Sequence, residues 1–252
     1  MIQYLLNTIV QGECLQVMQT LPDKSIDLVL CDLPYGITDN PWDTVIPYDL
    51  LWREYRRLVK PTGYVILTSQ GLFTSALMES NRKQFSHKII WVKPSIRGFL
   101  NAKRMPLHKY EEIIVFRMGK GSVYHPQFTY GHKAYKGSVG KGTTSSNYSR
   151  INHKPDYVPQ SDGRRYPVDV LEFPSTPFDQ CHIHPTQKPV EMGRYLIRQY
   201  SNPGAVVLDN CCGSASFPLA AALEDRAFIG IDSNPDYVAA ARKRLAAALK
   251  NS

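Results

Sequence analysis

No run of about 18 apolar residues occurs in the 252-residue sequence, which excludes a helix able to cross a bilayer. The opening Met1-Ile2-Gln3-Tyr4-Leu5-Leu6 lacks the basic-then-apolar layout of a secretory leader, so the expectation is a soluble, cytoplasmic chain with no membrane partner. Cysteine is sparse: Cys14, Cys31, Cys181, Cys211 and Cys212 make an odd set of 5 with no Cys-x-x-Cys pair. That pattern argues against a disulfide framework and a zinc knuckle. The group Cys181-His182-x-His184 lacks a second pair at ligand spacing, and no metal is expected. Acid is in short supply, 22 Asp+Glu against 30 Lys+Arg, leaving a net charge of +8. Such a balance favours a polyanion, either nucleic acid or a phosphate-rich surface, and charge alone does not choose between them.

What the chain does have is a series of short apolar runs closed by Gly, Pro or Asp, with helical patterns between them. This is the pattern of a largely parallel sheet covered on both faces. Seven strands are predicted: Asn7 to Gln11, Ile26 to Cys31, Tyr64 to Thr68, Lys88 to Val92, Glu112 to Arg117, Ala205 to Asp209 and Ala227 to Ile231. Leu50, Leu51, Tyr55, Leu58 and Val59 share one helical stripe, which Pro61-Thr62-Gly63 is expected to end. A second stripe, Tyr237, Val238, Ala241, Leu245 and Leu249, is opened by Asn234-Pro235. These stripes are packing faces.

From about Gly119 to Asp179 the periodicity disappears. Lys120, Lys133, Lys136, Lys141, Arg150, Lys154, Arg164 and Arg165 are interleaved there with Tyr124, Phe128, Tyr130, Tyr135, Tyr148, Tyr157 and Tyr166. Cations for phosphates and rings for bases suit a nucleic-acid surface. A solvated loop that orders on its partner reads equally from the same residues.

Two strand ends carry chemistry. Cys31-Asp32-Leu33-Pro34-Tyr35-Gly36 places a carboxylate, a turn and a ring at the carboxyl end of a strand, where open α/β sheets bind ligands. An exocyclic amine on a nucleobase is a poor nucleophile, because its lone pair is delocalised into the ring. Asp32 and the carbonyl of Leu33 or Pro34 are suited to accept its two N–H bonds and expose that lone pair to an electrophilic methyl. Tyr35 offers a ring face to a base taken out of the stack. At the second strand end, Asp209-Asn210-Cys211-Cys212-Gly213-Ser214-Ala215 leads into a helix, so backbone N–H groups and small side chains face a ligand. The next strand ends at Asp232, at the spacing where an acid meets ribose hydroxyls.

These residues resemble the amino-group DNA methyltransferases that use S-adenosylmethionine, in the permuted order of their β group. Asp32 to Tyr35 looks like the family's catalytic Asp-Pro-Pro-Tyr motif, and Asp209 to Ala215 like its cofactor loop. His184-Pro185-Thr186-Gln187-Lys188-Pro189 resembles the segment that closes over the cofactor's methionine end, and Gly12-Glu13-Cys14 the family's adenine contact. The resemblance implies Asp32, Leu33, Pro34 and Tyr35 as catalytic residues. It implies Glu13, Asp32, Thr186, Lys188, Asp209, Cys211, Gly213, Ala215 and Asp232 as cofactor contacts. Leu33 stands where proline is usual, Cys211 where an aromatic is usual, and Ala215 where a second glycine is usual, which adds a methyl near the ligand.

The implied fold is Rossmann-like α/β, a seven-stranded mostly parallel sheet with helices on both faces, in permuted order. A catalytic half at 1–118 and a cofactor half at 181–252 flank a target-recognition insertion at 119–180. Asp at the first motif position implies adenine N6 in DNA as the target. Cytosine N4 is the nearest alternative, RNA is open as a substrate, and a non-catalytic DNA-binding protein on this scaffold is the rival from another class. Cytosine C5 chemistry needs a nucleophilic cysteine, which its enzymes carry in a Pro-Cys pair absent from this sequence. Monomer and homodimer both remain open.

Overall fold

A computed structural model describes residues 2–40, 43–136, 160–173 and 187–250. The chain divides into two compact units, residues 1–125 with 169–252, and residues 126–168.

The larger unit is built on one sheet. Its strands are β1 (Thr8–Gln11), β2 (Ile26–Cys31), β3 (Val59–Ser69), β4 (Phe85–Arg97), β5 (His108–Arg117), β8 (Val170–Glu172), β9 (Val206–Asp209) and β10 (Ala227–Asp232). Across the sheet the order is β1-β10-β9-β2-β3-β5-β4-β8. The run from β1 to β3 is parallel, β5 is antiparallel to both of its neighbours, and β8 pairs parallel with β4. The chain moves outward from β2 to β3 in one direction and from β9 to β10 in the other. The crevice between the carboxyl ends of β2 and β9 is therefore the topological switch point, where doubly wound sheets bind ligands.

Side-chain alternation sends successive residues to opposite faces. Leu28, Leu30, Ile66, Ile113 and Val115 pack under α4 (Val190–Tyr200), α5 (Ser216–Leu223) and α6 (Pro235–Leu249). Val29, Cys31, Val65, Leu67 and Ile114 pack under α1 (Cys14–Thr20), α2 (Tyr48–Leu58) and α3 (Gly71–Ser80). Asp27 interrupts this apolar strand because each carboxylate oxygen has a partner: Lys60 Nζ at 2.8 Å and the Val206 amide at 2.9 Å, the latter fixing β2 against β9. Asn234 caps α6 by accepting from the amides of Asp236 and Tyr237, with Pro235 in the first turn where no donor is needed.

Eight strands of the described residues form the sheet where the sequence predicts seven. The addition, β8, has only three residues and pairs with Ile90, Trp91 and Val92 at the sheet edge, too short to carry a periodic signal. Pro61-Thr62-Gly63 does not form the turn expected of it. Helix α2 ends at Leu58 and β3 begins at Val59, absorbing those residues in a bulge between the Ile26–Val59 and Leu28–Tyr64 pairs.

The smaller unit, Pro126–Val168, lies within the 119–180 span read as an insertion, and β8 belongs to the main sheet. Its described residues hold a two-stranded antiparallel pair, β6 (Tyr135–Lys136) with β7 (Gln160–Ser161). The Arg164 guanidinium lies over the Phe128 ring at 5.1 Å and that of Arg165 over Tyr135 at 5.2 Å. Cations and rings that alternate in sequence thus meet in space.

Candidate active site

A cavity of about 310 Å³ opens at the switch point. Asp32, Leu33, Pro34 and Tyr35 line it from the end of β2, Asp209 to Ser214 from the end of β9, Asp232 from β10, and Gly12 with Glu13 from β1. The two strand ends singled out in the sequence therefore share one pocket.

Both carboxylate oxygens of Asp32 are engaged by side chains. Its Oδ1 accepts from the hydroxyls of Tyr35, at 2.7 Å, and Thr68. Its Oδ2 accepts from Lys188 Nζ at 2.6 Å. Lys188 is only 6 % exposed, with its ammonium 3.5 Å from Glu111 Oε2 and 5.7 Å from the centre of the Tyr35 ring. Burial opposes the charge on Lys188, but Asp32 and Glu111 outweigh it and its pKa lies above the ordinary lysine value. Glu111 is held in turn by Lys93 at 3.1 Å. For Tyr35, burial, Asp32 and Glu111 all push the phenol up, so it stays a hydrogen-bond donor. The Tyr35 ring leans on Phe73 at 4.9 Å between centroids. Leu33 turns its side chain into the core at 4 % exposure, which anchors the turn where the family pattern has proline.

Beyond Tyr35, Asp43 collects the amides of Gly36, Ile37 and Thr38 together with the Thr38 hydroxyl. These bonds outweigh burial and hold its pKa below the usual carboxylate value. They also fix the exit of the Asp32 turn.

On the other wall, Asp232 accepts from the Gly213 amide at 2.8 Å and the Asn234 amide at 2.9 Å. Glu13 caps α1 through the amides of Leu15 and Gln16, at 3.0 and 2.9 Å, and these bonds outweigh burial to lower its pKa. Glu13 Oε1 also accepts from the Cys14 thiol, so Glu13 Oε2 and both oxygens of Asp232 keep a lone pair for a ligand donor. Cys211 lines the cavity together with Cys14 and Cys212. Tyr55 donates to Asn210 Oδ1 at 2.7 Å, tying this loop to α2.

One contact expected from the sequence lands elsewhere, and another is already engaged within the protein. Ala215 does not line the cavity: it is fully buried in the core at φ +59°, the left-handed conformation that glycine adopts more cheaply, so its methyl does not crowd a ligand. Lys188 does line it, but its ammonium is engaged by Asp32 and Glu111 instead of standing free for a ligand carboxylate. Thr186 and the Cys181–His184 group lie outside the described residues. Among the described residues no cluster of His, Cys, Asp or Glu is arranged to hold a metal, and no helix is long and apolar enough to cross a membrane. Thr68, Phe73, Asp43 and Glu111 are the site residues that sequence reasoning missed. Thr68 carried the one usable signal, its place at the end of a predicted strand.

The cavity's charge is informative about what fits it. Among the described residues, the carboxylates of Glu13, Asp32, Asp43, Glu111 and Asp232 face it against a single cation, Lys188, while burial keeps a proton on Asp209. That lining repels phosphate and suits a cationic ligand rich in hydroxyl and amine donors.

A family model described as DNA methylase, of the N6/N4 methyltransferase type, matches residues 26–243. DNA adenine methyltransferase YhdJ of Escherichia coli (strain K12) is 28% identical over 251 residues, covering 94% of this chain and 82% of that protein. Among solved structures, the M1.HpyAVI–SAM complex superposes with a TM-score of 0.61 at 22% identity, covering 94% of this chain and 98% of that one. The PvuII DNA methyltransferase (cytosine-N4-specific) gives 0.66 at 16% identity, covering 94% and 85%. The family match begins at the first residue of β2, runs through both walls of the cavity and stops within α6, and the chain belongs to the N6/N4 DNA methylase family.

Proposed function

We propose that this protein transfers a methyl group from S-adenosylmethionine to the exocyclic N6 of adenine in DNA. The observation that carries the reading is the Asp32–Tyr35 turn at the switch point, facing a cavity whose lining is acidic. Adenine is favoured over cytosine by the Asp at the first motif position and by the relative named as an adenine methyltransferase.

The donor set fits the cofactor. S-adenosylmethionine carries a sulfonium and an ammonium, and an anionic cavity stabilises both. Asp232 and Glu13, with lone pairs left after binding backbone amides, would take hydroxyl and amine donors of the nucleoside. Gly213 and Cys211 would wall it, Asp209 would stand behind them, and Thr186 and Lys188 would border the amino-acid end. When bound, the cofactor supplies an electrophilic methyl on sulfur.

The remaining work falls to this chain's own groups. Asp32 and the main-chain carbonyl of Leu33 or Pro34 hold the two N–H bonds of the amine, so that its lone pair points away from them. Tyr35 stacks on the extruded base, and Phe73 supports that ring from behind. The proton released after transfer has an acceptor in the Asp32 carboxylate. Lys188 must yield part of its hold on Asp32 for the amine to bind. The smaller unit, with its paired arginines and rings, is the candidate target-recognition region.

Incubation with methyl-labelled cofactor and unmethylated DNA, followed by nucleoside analysis, tests the reading. N6-methyladenine is expected. N4-methylcytosine would replace the target, label in RNA alone would replace the substrate, and no label with intact DNA binding would leave a non-catalytic binder.

A further inference from the structure

The tip of the hairpin joining β4 to β5 has no part in the cavity, yet it extends from the same sheet edge. Cys31 pairs with Leu67 and Ser69 with Glu112, so the amino end of β5 and the carboxyl end of β4 lie on the side where Asp32 leaves β2. Contacts run from Asp32 through Lys188 and Glu111 to Lys93, at the hairpin's base. Beyond Lys93 the hairpin continues past the Arg97–His108 pair to a tip made by Gly98, at φ +91°, and one turn of 3-10 helix at Phe99–Asn101. The tip is closed by its own bonds, Asn101 N to Gly98 O at 2.9 Å and Arg104 N to Asn101 O at 2.8 Å.

Its surface is unusual. Leu100 is fully exposed and Phe99 is 68% exposed, with Ile96 and Met105 partly exposed beside them. Each large apolar side chain left in water forgoes the stabilisation of burial. From Lys93 to Tyr110 the sequence also carries Lys93, Arg97, Lys103, Arg104 and Lys109, and no Asp or Glu. An apolar tip on a purely cationic stem complements duplex DNA, in which phosphates flank a stack of bases.

We propose that the β4–β5 hairpin is a wedge that enters duplex DNA through Phe99 and Leu100 and fills the place of the base drawn toward Asp32. The inference rests on the reading of the site as a DNA base methyltransferase. Extrusion of a paired base breaks its pairing and stacking, and burial of two large side chains between base pairs offsets that cost. Lys103, Arg104 and Lys109 neutralise phosphates on either side.

The test uses the full chain and a short duplex carrying the mapped methylation site, with the target base either paired or opposite an abasic position. Phe99→Ala/Leu100→Ala is expected to slow single-turnover methylation of the paired duplex by about 10-fold or more, and that of the abasic duplex by less than about 3-fold, because the target base of the second substrate is already unpaired and costs less to extrude. Phe99→Leu/Leu100→Met should behave as wild type on both. Equal rates on the paired duplex, or equal losses on both duplexes, would overturn the wedge. Wild-type protein that labels neither duplex marks failure of the functional reading instead. Lys103→Gln/Arg104→Gln should reduce the salt slope of DNA binding by about 2. An unchanged slope, or loss of phosphatidylserine-vesicle binding in the alanine variant with unchanged methylation, would also reject DNA as the occupant.

Discussion

Lys188 Nζ stands 2.6 Å from Asp32 Oδ2 and 3.5 Å from Glu111 Oε2, so one buried ammonium serves two carboxylates from different strand ends. The arrangement keeps an anionic acceptor in a pocket that already holds several acids. It also makes the acceptor dependent on a residue 156 positions away in sequence. Removing Lys188 leaves Asp32 and Glu111 facing each other, with Lys93 the cation that remains on Glu111 among the described residues. Lys188→Met is expected to lower stability by about 3 kcal/mol, the scale of a broken buried ion pair. Adding Glu111→Gln should restore part of that loss. Urea unfolding of both variants measures it, and a loss below about 1 kcal/mol in Lys188→Met would show that the pair is solvated.

Asp32 itself is expected to act on turnover more than on stability. Asp32→Asn keeps the shape but replaces an anionic acceptor with an amide, and methyl transfer should fall by about 100- to 1000-fold. Cofactor affinity, read by calorimetry without DNA, should change by less than about 10-fold, since most of the cavity's acids remain. A variant with wild-type turnover would remove Asp32 from the chemistry.

The turn at Asp32 is legible in the sequence because an apolar run followed by a polar turn marks a strand's carboxyl end wherever the strand lies in the sheet. The same logic locates Asp209 and Asp232. Thr68 shares that signal, but its bond to Asp32 depends on β3 pairing beside β2. Glu111 cannot be found that way, because its approach to Lys188 depends on β5 entering the sheet antiparallel beside β3, a neighbour relation with no local signature. The sequence places Lys188 at the cavity but gives it to a ligand, because spacing cannot show that Asp32 reaches it first. Ala215 illustrates the opposite error. Its loop is recognisable, but which side chains of a tight turn face outward is set by backbone angles such as its φ of +59°.

Asp209 couples the cofactor loop to pH. It is 3% exposed, and burial, aided by Asp32 and Asp232, pushes its pKa from 3.8 to about 8 against the hydrogen bonds from Cys31 and the Cys211 amide. The folded chain therefore holds a proton there that the unfolded chain has lost. The stability this contributes is full below the unfolded value and falls as pH rises through the folded one. The slope is at most about 1.4 kcal/mol per pH unit. Urea unfolding of wild type and Asp209→Asn at pH 5, 6, 7 and 8 should show wild type losing stability relative to the variant across that range. A constant difference would mean that Asp209 is ionised in the fold.

The thiols at the cavity invite the idea of reactive cysteines, and their surroundings argue the reverse. Only the thiolate attacks an alkylating agent, so reactivity follows the fraction ionised and the access to it. Burial pushes Cys31 up to about 12, and Cys14 is raised by its hydrogen bond to Cys211 and by burial. Cys212 is raised chiefly by burial, with Asp209 and Asp232 adding to it. Cys211 accepts help from Cys14 but is raised on balance by Cys31, burial and Asp209. Among the described residues no cation contributes to stabilising these thiolates; the carboxyl of Asp209 opposes three of them instead. Iodoacetamide at neutral pH should therefore modify Cys14, Cys31, Cys211 and Cys212 at least about 100-fold more slowly in the folded protein than in urea, site by site in peptide mass spectra. Rapid labelling of Cys211 in the native state would mean that the loop beside Gly213 opens, and that the acidic wall described for the cavity is not its resting form.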